Sequence, residues 1–235
     1  LSYYQYMWTN DSSFEVIWKV GFNINSYGGA LGRIFLNFTN DYRYFYPDYV
    51  PATWAINLYG NSDLRASAFF SNESTGYDHG LNWPLLVKYY GNRSFISQAK
   101  IYHVSMPKVL RLSEQYLIRA EARCHQRNFG GAQTDLSTLR KARLSAGGNI
   151  GVNEKNWLDV ISDERVRELY MEGFRLNDLK RWGRGFERKP QTSSLAQGSS
   201  LKVEAGDYRF VWPIPNHEIE SPGTALEQNP GYMGL

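Results

Sequence analysis

Polar and apolar positions divide this chain into three stretches of different rhythm. Up to about residue 102, apolar residues come in short runs broken by glycine, asparagine and proline. Phe14-Glu15-Val16-Ile17-Trp18-Lys19-Val20 alternates as a half-buried strand does. Gly28-Gly29 and Gly32 then interrupt the chain, and Asn40 to Tyr49 sets five aromatic rings among charges and a proline. Neither a long helix nor a clean strand accommodates that pattern, so it reads as a loop presenting rings, with a short helix about Trp54–Tyr59 after it. From Leu112 onward the period changes to that of helices. Leu112, Tyr116, Ala120 and Cys124 recur every four residues, which predicts a helix to about Arg127, ended by Asn128-Phe129-Gly130-Gly131. A second helix places Ala132, Leu136, Leu139 and Arg143 on one face and closes at Gly147-Gly148. Small residues at Ala120, Ala122 and Ala132 mark where the two helices approach. A third helix is expected over Trp157–Trp182, with Leu158, Ile161, Arg165, Leu169, Glu172, Leu176 and Leu179 inward and a stop at Gly183. Pro190 to Ser200 reads as a mobile loop, and the prolines of Phe210-Val211-Trp212-Pro213-Ile214-Pro215 exclude an interior strand.

The hairpin has the size of one tetratricopeptide unit, although Arg119 stands where that repeat prefers leucine. A single such unit cannot bury its own faces, and no second copy is apparent. Together with a start at Leu1, this reads as the C-terminal portion of a longer chain.

Composition sharpens the division. Of 36 aromatic residues, 25 lie in residues 1–102, a segment with 7 basic and 7 acidic side chains. Residues 111–190 carry 16 basic against 11 acidic, and residues 191–235 carry 2 against 5. The overall charge of +3 makes no electrostatic case for nucleic acid, and no apolar run is long enough for a membrane-spanning helix. One cysteine, Cys124, excludes an internal disulfide framework and reads as a packed thiol. His79, His103, His125 and His217 lack metal-ligand spacing, and no phosphate-binding glycine loop or nucleophile elbow is present, so no metal or cofactor is expected. Asn10, Asn37, Asn72 and Asn92 begin glycosylation sequons, which matter only where the source modifies them.

Two groups of residues carry candidate chemistry. Glu164, Glu168 and Glu172 share one side of the third helix, and paired carboxylates are the equipment of glycoside hydrolysis, with Glu168 and Glu172 lining the cleft. Arg165, Arg167 and Arg175 stand close by, and arginine neighbours keep carboxylates ionised, which favours an ion-pair network. The other group is the ring-rich segment. Tyrosine and tryptophan faces stack on the apolar faces of sugars, while most of so many rings must be core. Tyr27, Tyr42, Tyr44, Tyr46, Tyr49 and Trp54 are the candidates for stacking, and Asn40, Asp41 and Arg43 for hydrogen bonds.

The order of motifs resembles the SusD/RagB-like proteins. Arg111-Leu112-Ser113-Glu114-Gln115-Tyr116-Leu117-Ile118-Arg119-Ala120-Glu121-Ala122 is similar to the helix that opens their C-terminal part. Glu164-Arg165-x-x-Glu168-Leu169-x-x-Glu172-Gly173-x-Arg175-x-x-Asp178-Leu179-x-Arg181-Trp182-Gly183 is similar to their most distinctive helix. Pro213-Ile214-Pro215 with Gln228-Asn229-Pro230-Gly231-Tyr232 is similar to their C-terminal signature, and Phe14–Trp18, Asp63-x-Arg65 and Lys88-Tyr89 match weaker landmarks in order. The resemblance implies a mainly α fold, a tetratricopeptide-like α-α superhelix scaffold with a loop-rich, short-strand ligand-binding segment. It divides 1–235 into an aromatic loop-rich segment (1–102), a helical scaffold (103–190) and a loop with the C-terminal signature (191–235), the N-terminal half of the family having no counterpart. It also implies a non-catalytic glycan-binding protein, or in some members a peptide binder, on the bacterial outer membrane. Such a protein serves a SusC-like TonB-dependent transporter and is held by a lipid anchor that lies outside this chain, since Cys124 is mid-helix. Ligand residues vary in this family, so none is carried over by motif. A glycoside hydrolase using the helix carboxylates and a tetratricopeptide-type interaction scaffold remain the alternatives.

Overall fold

The computed structural model describes every residue except 1–2, 39–42, 78–81, 193–200, 222, 224 and 233–235. The chain divides into two compact units, residues 1–170 with 189–195, and residues 171–188 with 196–235.

The first unit opens with α1 (Tyr3–Thr9), whose Tyr4, Met7 and Trp8 face inward, and β1 (Val16–Lys19). Two one-turn helices follow, α2 (Arg33–Leu36) and α3 (Thr53–Ile56), before α4 (Leu64–Phe69). The chain then forms a regular antiparallel hairpin of β2 (Phe70–Ser74) and β3 (Asn82–Leu86), in register from Phe70↔Leu86 to Ser74↔Asn82. A 3-10 turn, Val87–Tyr89, leads to α5 (Arg93–Ala99) and β4 (Lys108–Arg111), which pairs antiparallel with β1. Met7, Leu36, Phe69, Leu85 and Leu86 are fully buried in the core that these pieces share. Short elements of this kind gain little from local propensity and are fixed by what they bury together.

The helical stretch follows. α6 (Leu112–His125) and α7 (Phe129–Lys141) make the expected hairpin, with one difference in how it turns. The left-handed residue is Arg127 (φ 59°), while Asn128 begins the next helix by accepting from the Gly131 amide, so Gly130 and Gly131 lie inside α7. The inward stripe of α6 is Ser113, Leu117, Ala120 and Cys124, rotated from the expected one, and Leu112 stands exposed because it is the first residue after the strand. Ala120 and Ala132 are buried at the helix contact, but Ala122 is exposed. Arg119 and Arg123 reach across and clamp the buried Asp135 carboxylate of α7 at 2.6 and 2.7 Å, so Arg119 ties the hairpin by charge where leucine would tie it by packing. Burial, and then the Glu121 carboxylate, push the Cys124 thiol up to about 11, an inert packed thiol.

The expected third helix is two helices. α8 (Trp157–Leu169) ends where Tyr170 turns extended and Met171 (φ 57°) and Gly173 (φ 90°) turn left-handed. α9 (Arg175–Trp182) resumes afterwards and stops at Gly183, which is left-handed as expected. Glu172 therefore does not continue the Glu164–Glu168 row, and Leu176 is exposed.

In the second unit, Leu179 of α9 packs with Phe186, Val203 and Phe210. Phe186 and Val203 come from the paired strands β5 (Phe186–Glu187) and β6 (Lys202–Val203). The C-terminal signature acts through its side chains. Gln228 accepts from the Ile214 amide and donates to the Ile214 carbonyl, both at 2.8 Å. Asn229 donates to Trp212 O and Tyr232 to Val211 O, which holds the proline-rich segment extended without a sheet. The expected mobile loop falls largely on 193–200, outside the described residues.

Candidate functional site

The carboxylate row of α8 is sealed. Glu164 and Glu168 are fully buried, and each is held by three arginines. Arg65 Nη1 (2.7 Å), Arg140 (2.9 Å) and Arg167 (2.9 Å) meet Glu164. Arg65 (3.2 Å), Arg111 (3.0 Å) and Arg143 (3.0 Å) meet Glu168. Asp63 closes a two-pronged pair on Arg65, and Glu15 meets Arg143 at 2.5 Å. Burial pushes both α8 carboxyls up. The guanidiniums more than reverse that push, so both groups lie below the usual carboxylate range. A glycosidase acid must hold a proton and touch substrate, and these groups do neither, which overturns the hydrolase alternative. Arg167, on α8 itself, is one of the expected neighbours, whereas the other partners, Arg65, Arg111, Arg140 and Arg143, come from α4, β4 and α7 with the turn after it.

The ring-rich segment is open. Its path is fixed by backbone bonds on both sides. Phe45 bridges Phe38 and Thr75, donating to Ser74 O and accepting from the Gly76 amide, both at 2.9 Å. The amides of Asp48 and Tyr49 donate to Ile34 O of α2 at 2.9 and 3.1 Å. The segment is thereby laid along the β2–β3 hairpin. The Tyr46 ring meets the Tyr77 ring edge-to-face at 5.2 Å, and Tyr77 stacks on Trp83 of β3 at 5.9 Å with 21° between the planes. Trp83 is buried, whereas Tyr46 and Tyr77 are each more than one-third exposed. The Tyr77 hydroxyl donates to Pro47 O at 3.4 Å, and burial, the Asp48 carboxylate and Tyr46 raise its pKa. The result is a two-ring platform braced from below, with a carboxylate beside it.

The other expected residues are spread around this pair. Tyr49 is the most exposed of them and leans toward Phe35 at 6.5 Å. The Arg43 guanidinium lies 5.2 Å from the half-buried Tyr44 ring. Tyr27 is exposed on a separate turn beyond the Asn23–Ser26 bridge. Trp54 is half-buried against the core. Asn40, Asp41 and Tyr42 lie outside the described residues. Sequence reasoning missed Tyr77 and Trp83. A ring on the opposite strand of a hairpin leaves no local signal, although the alternation of β3 could have marked Trp83 as its buried anchor. Among the described residues no group of three or more His, Cys, Asp or Glu side chains is gathered as for a metal ion.

Gly76 shows how closely the platform is fitted. A Cβ on it would fall 1.8 Å from Tyr46 Cζ. That atom is the outer end of a movable side chain, so Gly76→Ala should shift the ring and leave the core intact. The expected result is weakened ligand binding with an unchanged thermal midpoint. A drop in both would place Gly76 among the residues that hold the fold.

Comparison with known proteins adds kinship to this geometry. A model described as the SusD family matches residues 24–232. The starch-binding protein SusD of Bacteroides thetaiotaomicron is 30% identical over 158 residues, 67% of this chain and 27% of that protein. A solved SusD superfamily protein from Bacteroides thetaiotaomicron superposes with a TM-score of 0.74 at 24% identity, over 97% of this chain and 51% of its own. One from Bacteroides vulgatus gives 0.67 at 27% identity, over 97% and 49%. The chain thus spans about half the length of those solved relatives.

Proposed function

Because the chain belongs to the SusD family, we propose that it is a non-catalytic, cell-surface glycan-binding protein that delivers its ligand to a SusC-like TonB-dependent transporter in the outer membrane. A lipid anchor outside this chain would hold it there. The 30% identical relative from Bacteroides thetaiotaomicron is a starch-binding protein. The observation that carries the reading is the Tyr46–Tyr77 pair, exposed on one side and braced on buried Trp83 on the other. Rings held in place before the ligand arrives lose little freedom on binding, and their faces suit the C–H faces of sugars. Tyr49, Tyr27, Tyr44 and Trp54 extend the aromatic surface. Arg43 and the Asn40–Tyr42 stretch are the sources of hydrogen bonds to hydroxyls. In this reading α6 and α7 form one tetratricopeptide-like hairpin of the scaffold and take no part in the site. The buried carboxylates of α8 support the absence of hydrolysis.

Calorimetric titration with a panel of oligosaccharides tests this. For the glycan that binds, Tyr46→Ala and Tyr77→Ala should each lower affinity about tenfold or more, ~1.4 kcal/mol. Unchanged affinity in both variants would move the site elsewhere, and release of shortened sugars during the titration would contradict a binding role.

A further inference from the structure

A cavity of about 560 Å³ lies beside α5, in the same unit as the ring platform and sharing none of the platform's residues. Its floor is apolar: Trp8 of α1, Ala68 of α4, Val87 and the Tyr90 ring. One wall is a face of α5, made by Arg93, Ile96 and Ser97 at positions i, i+3 and i+4, and Lys100 continues the lining just past the end of the helix. No carboxylate lines the cavity. Arg93 and Lys100 are exposed and make no ion pair or side-chain hydrogen bond among the described residues. The nearest acid in the chain path, Asp11, is already committed to Lys108 at 2.6 Å and to the Asn92 amide at 2.8 Å. Volume, apolar lining and a few convergent polar groups are the features of a small-ligand site. The charge left over is purely positive.

The wall is built rigidly. The Asn92 side chain accepts from the Ser94 amide at 2.9 Å while donating to Asp11, which fixes the start of α5 to the end of α1. Phe95 is buried beneath the helix. Lys100 turns left-handed (φ 57°), with its amide bonded back to Phe95 O and Ile96 O, so its side chain starts from a fixed point at the end of the face. Arg93 at the start of α5 and Lys100 just past its end thus line the same cavity as the exposed Tyr90 ring.

We propose that this cavity is a second saccharide subsite, one that takes an anionic sugar, with the exposed Tyr90 ring against the sugar face and Arg93 and Lys100 on its carboxylate or sulfate. The saccharide part rests on the glycan-binding reading above. The anionic part rests on the two unpaired cations and the absence of any lining acid. An arginine fork suits both acid types, and a lysine adds a point charge to either.

The test titrates the protein with three oligosaccharides of equal length: a uronate oligomer, a sulfated oligomer and a neutral one, each at low and at raised salt. Either acidic oligomer should bind more tightly than the neutral one, with an excess that shrinks as salt rises. Arg93→Glu with Lys100→Glu should remove that excess, a loss of tenfold or more. The milder pair Arg93→Gln with Lys100→Gln should remove most of it, with the circular dichroism of the native protein retained. Tyr46→Ala should leave the excess in place while weakening the neutral oligomer. Whichever acidic oligomer carries the excess identifies the anion. Equal binding of neutral and acidic oligomers overturns the proposal and spares the glycan reading. An excess that survives charge reversal also overturns it, and such survival is what a cavity covered by another polypeptide segment would produce. No binding by any oligomer overturns both readings.

Discussion

Glu168→Ala should lose the folded state, or lower its unfolding free energy by about 3–5 kcal/mol, the range found when one partner of a buried ion pair is removed. The reason lies in what stays behind. Arg65, Arg111 and Arg143 have almost no solvent exposure, and all three direct N–H groups at this one carboxylate. An arginine cannot shed its proton to escape burial, so the change strands charge rather than neutralising it. Arg111 also donates to the Glu168 main-chain carbonyl at 2.9 Å and to the Ser113 hydroxyl at 2.8 Å, so it would keep part of its satisfaction. Arg65 keeps Asp63, and Arg143 keeps Glu15. Those remaining bonds are why the expected cost is several kcal/mol rather than the full burial penalty of three ions. Glu227→Ala is the control, since Glu227 is exposed, and it should change stability by less than about 1 kcal/mol. Chemical denaturation of the two variants side by side decides the matter, and equal losses would mean that the network is not what holds this part of the core.

Acid should unfold the protein in two overlapping steps, each with its own residues. The first belongs to His103. Its ring is buried against Phe38 and Tyr90, both ring nitrogens lack a hydrogen-bond partner among the described residues, and burial, then Arg33, lower its pKa from 6.5 to about 4. Between those values the unfolded chain takes up the proton and the folded one does not, so stability falls as pH drops from about 6.5 to about 4 and levels off below. The second step belongs to Glu164 and Glu168. Their folded pKa values lie below the ordinary 4.5, so their contribution is full above that value and is lost as pH falls beneath it, by up to about 1.4 kcal/mol per pH unit for each. Denaturation midpoints measured from pH 7 to pH 3 should show both limbs. His103→Asn, which keeps a residue tolerant of the left-handed backbone (φ 64°), should flatten the upper limb alone. An unchanged upper limb would assign that slope to other groups.

These two results concern parts of the molecule that differ in how far they can be read from sequence. The α6–α7 hairpin and the stop at Gly183 are legible because period and capping residues are local. The break after α8 is not. Met171 and Glu172 are good helix formers, and only Gly173 hints that the backbone turns. Of the partners of Glu164 and Glu168, Arg167 alone is legible from their neighbours. Arg65 stands 99 residues from Glu164, and Glu15 stands 128 from Arg143, whereas proximity along the chain points to Arg165, Arg167 and Arg175. The candidate site divides the same way. Consecutive rings from Tyr42 to Tyr49 announce a segment that cannot bury all of its faces, which puts Tyr46 among the candidates with Tyr42, Tyr44 and Tyr49. That Tyr46 is aimed by Tyr77 and Gly76 follows from a hairpin pairing, and the cavity beside α5 depends on four separate elements meeting.

The buried charge network also has an order in time. A chain made from its N-terminus presents Arg65, Arg111 and Arg143 before the carboxylate they share has been added. Until residue 168 is available those guanidiniums lack their common partner, although Asp63 already stands beside Arg65 and Glu15 beside Arg143. Glu168 is the last residue of this network to be added, so the three guanidiniums meet their shared carboxylate only then.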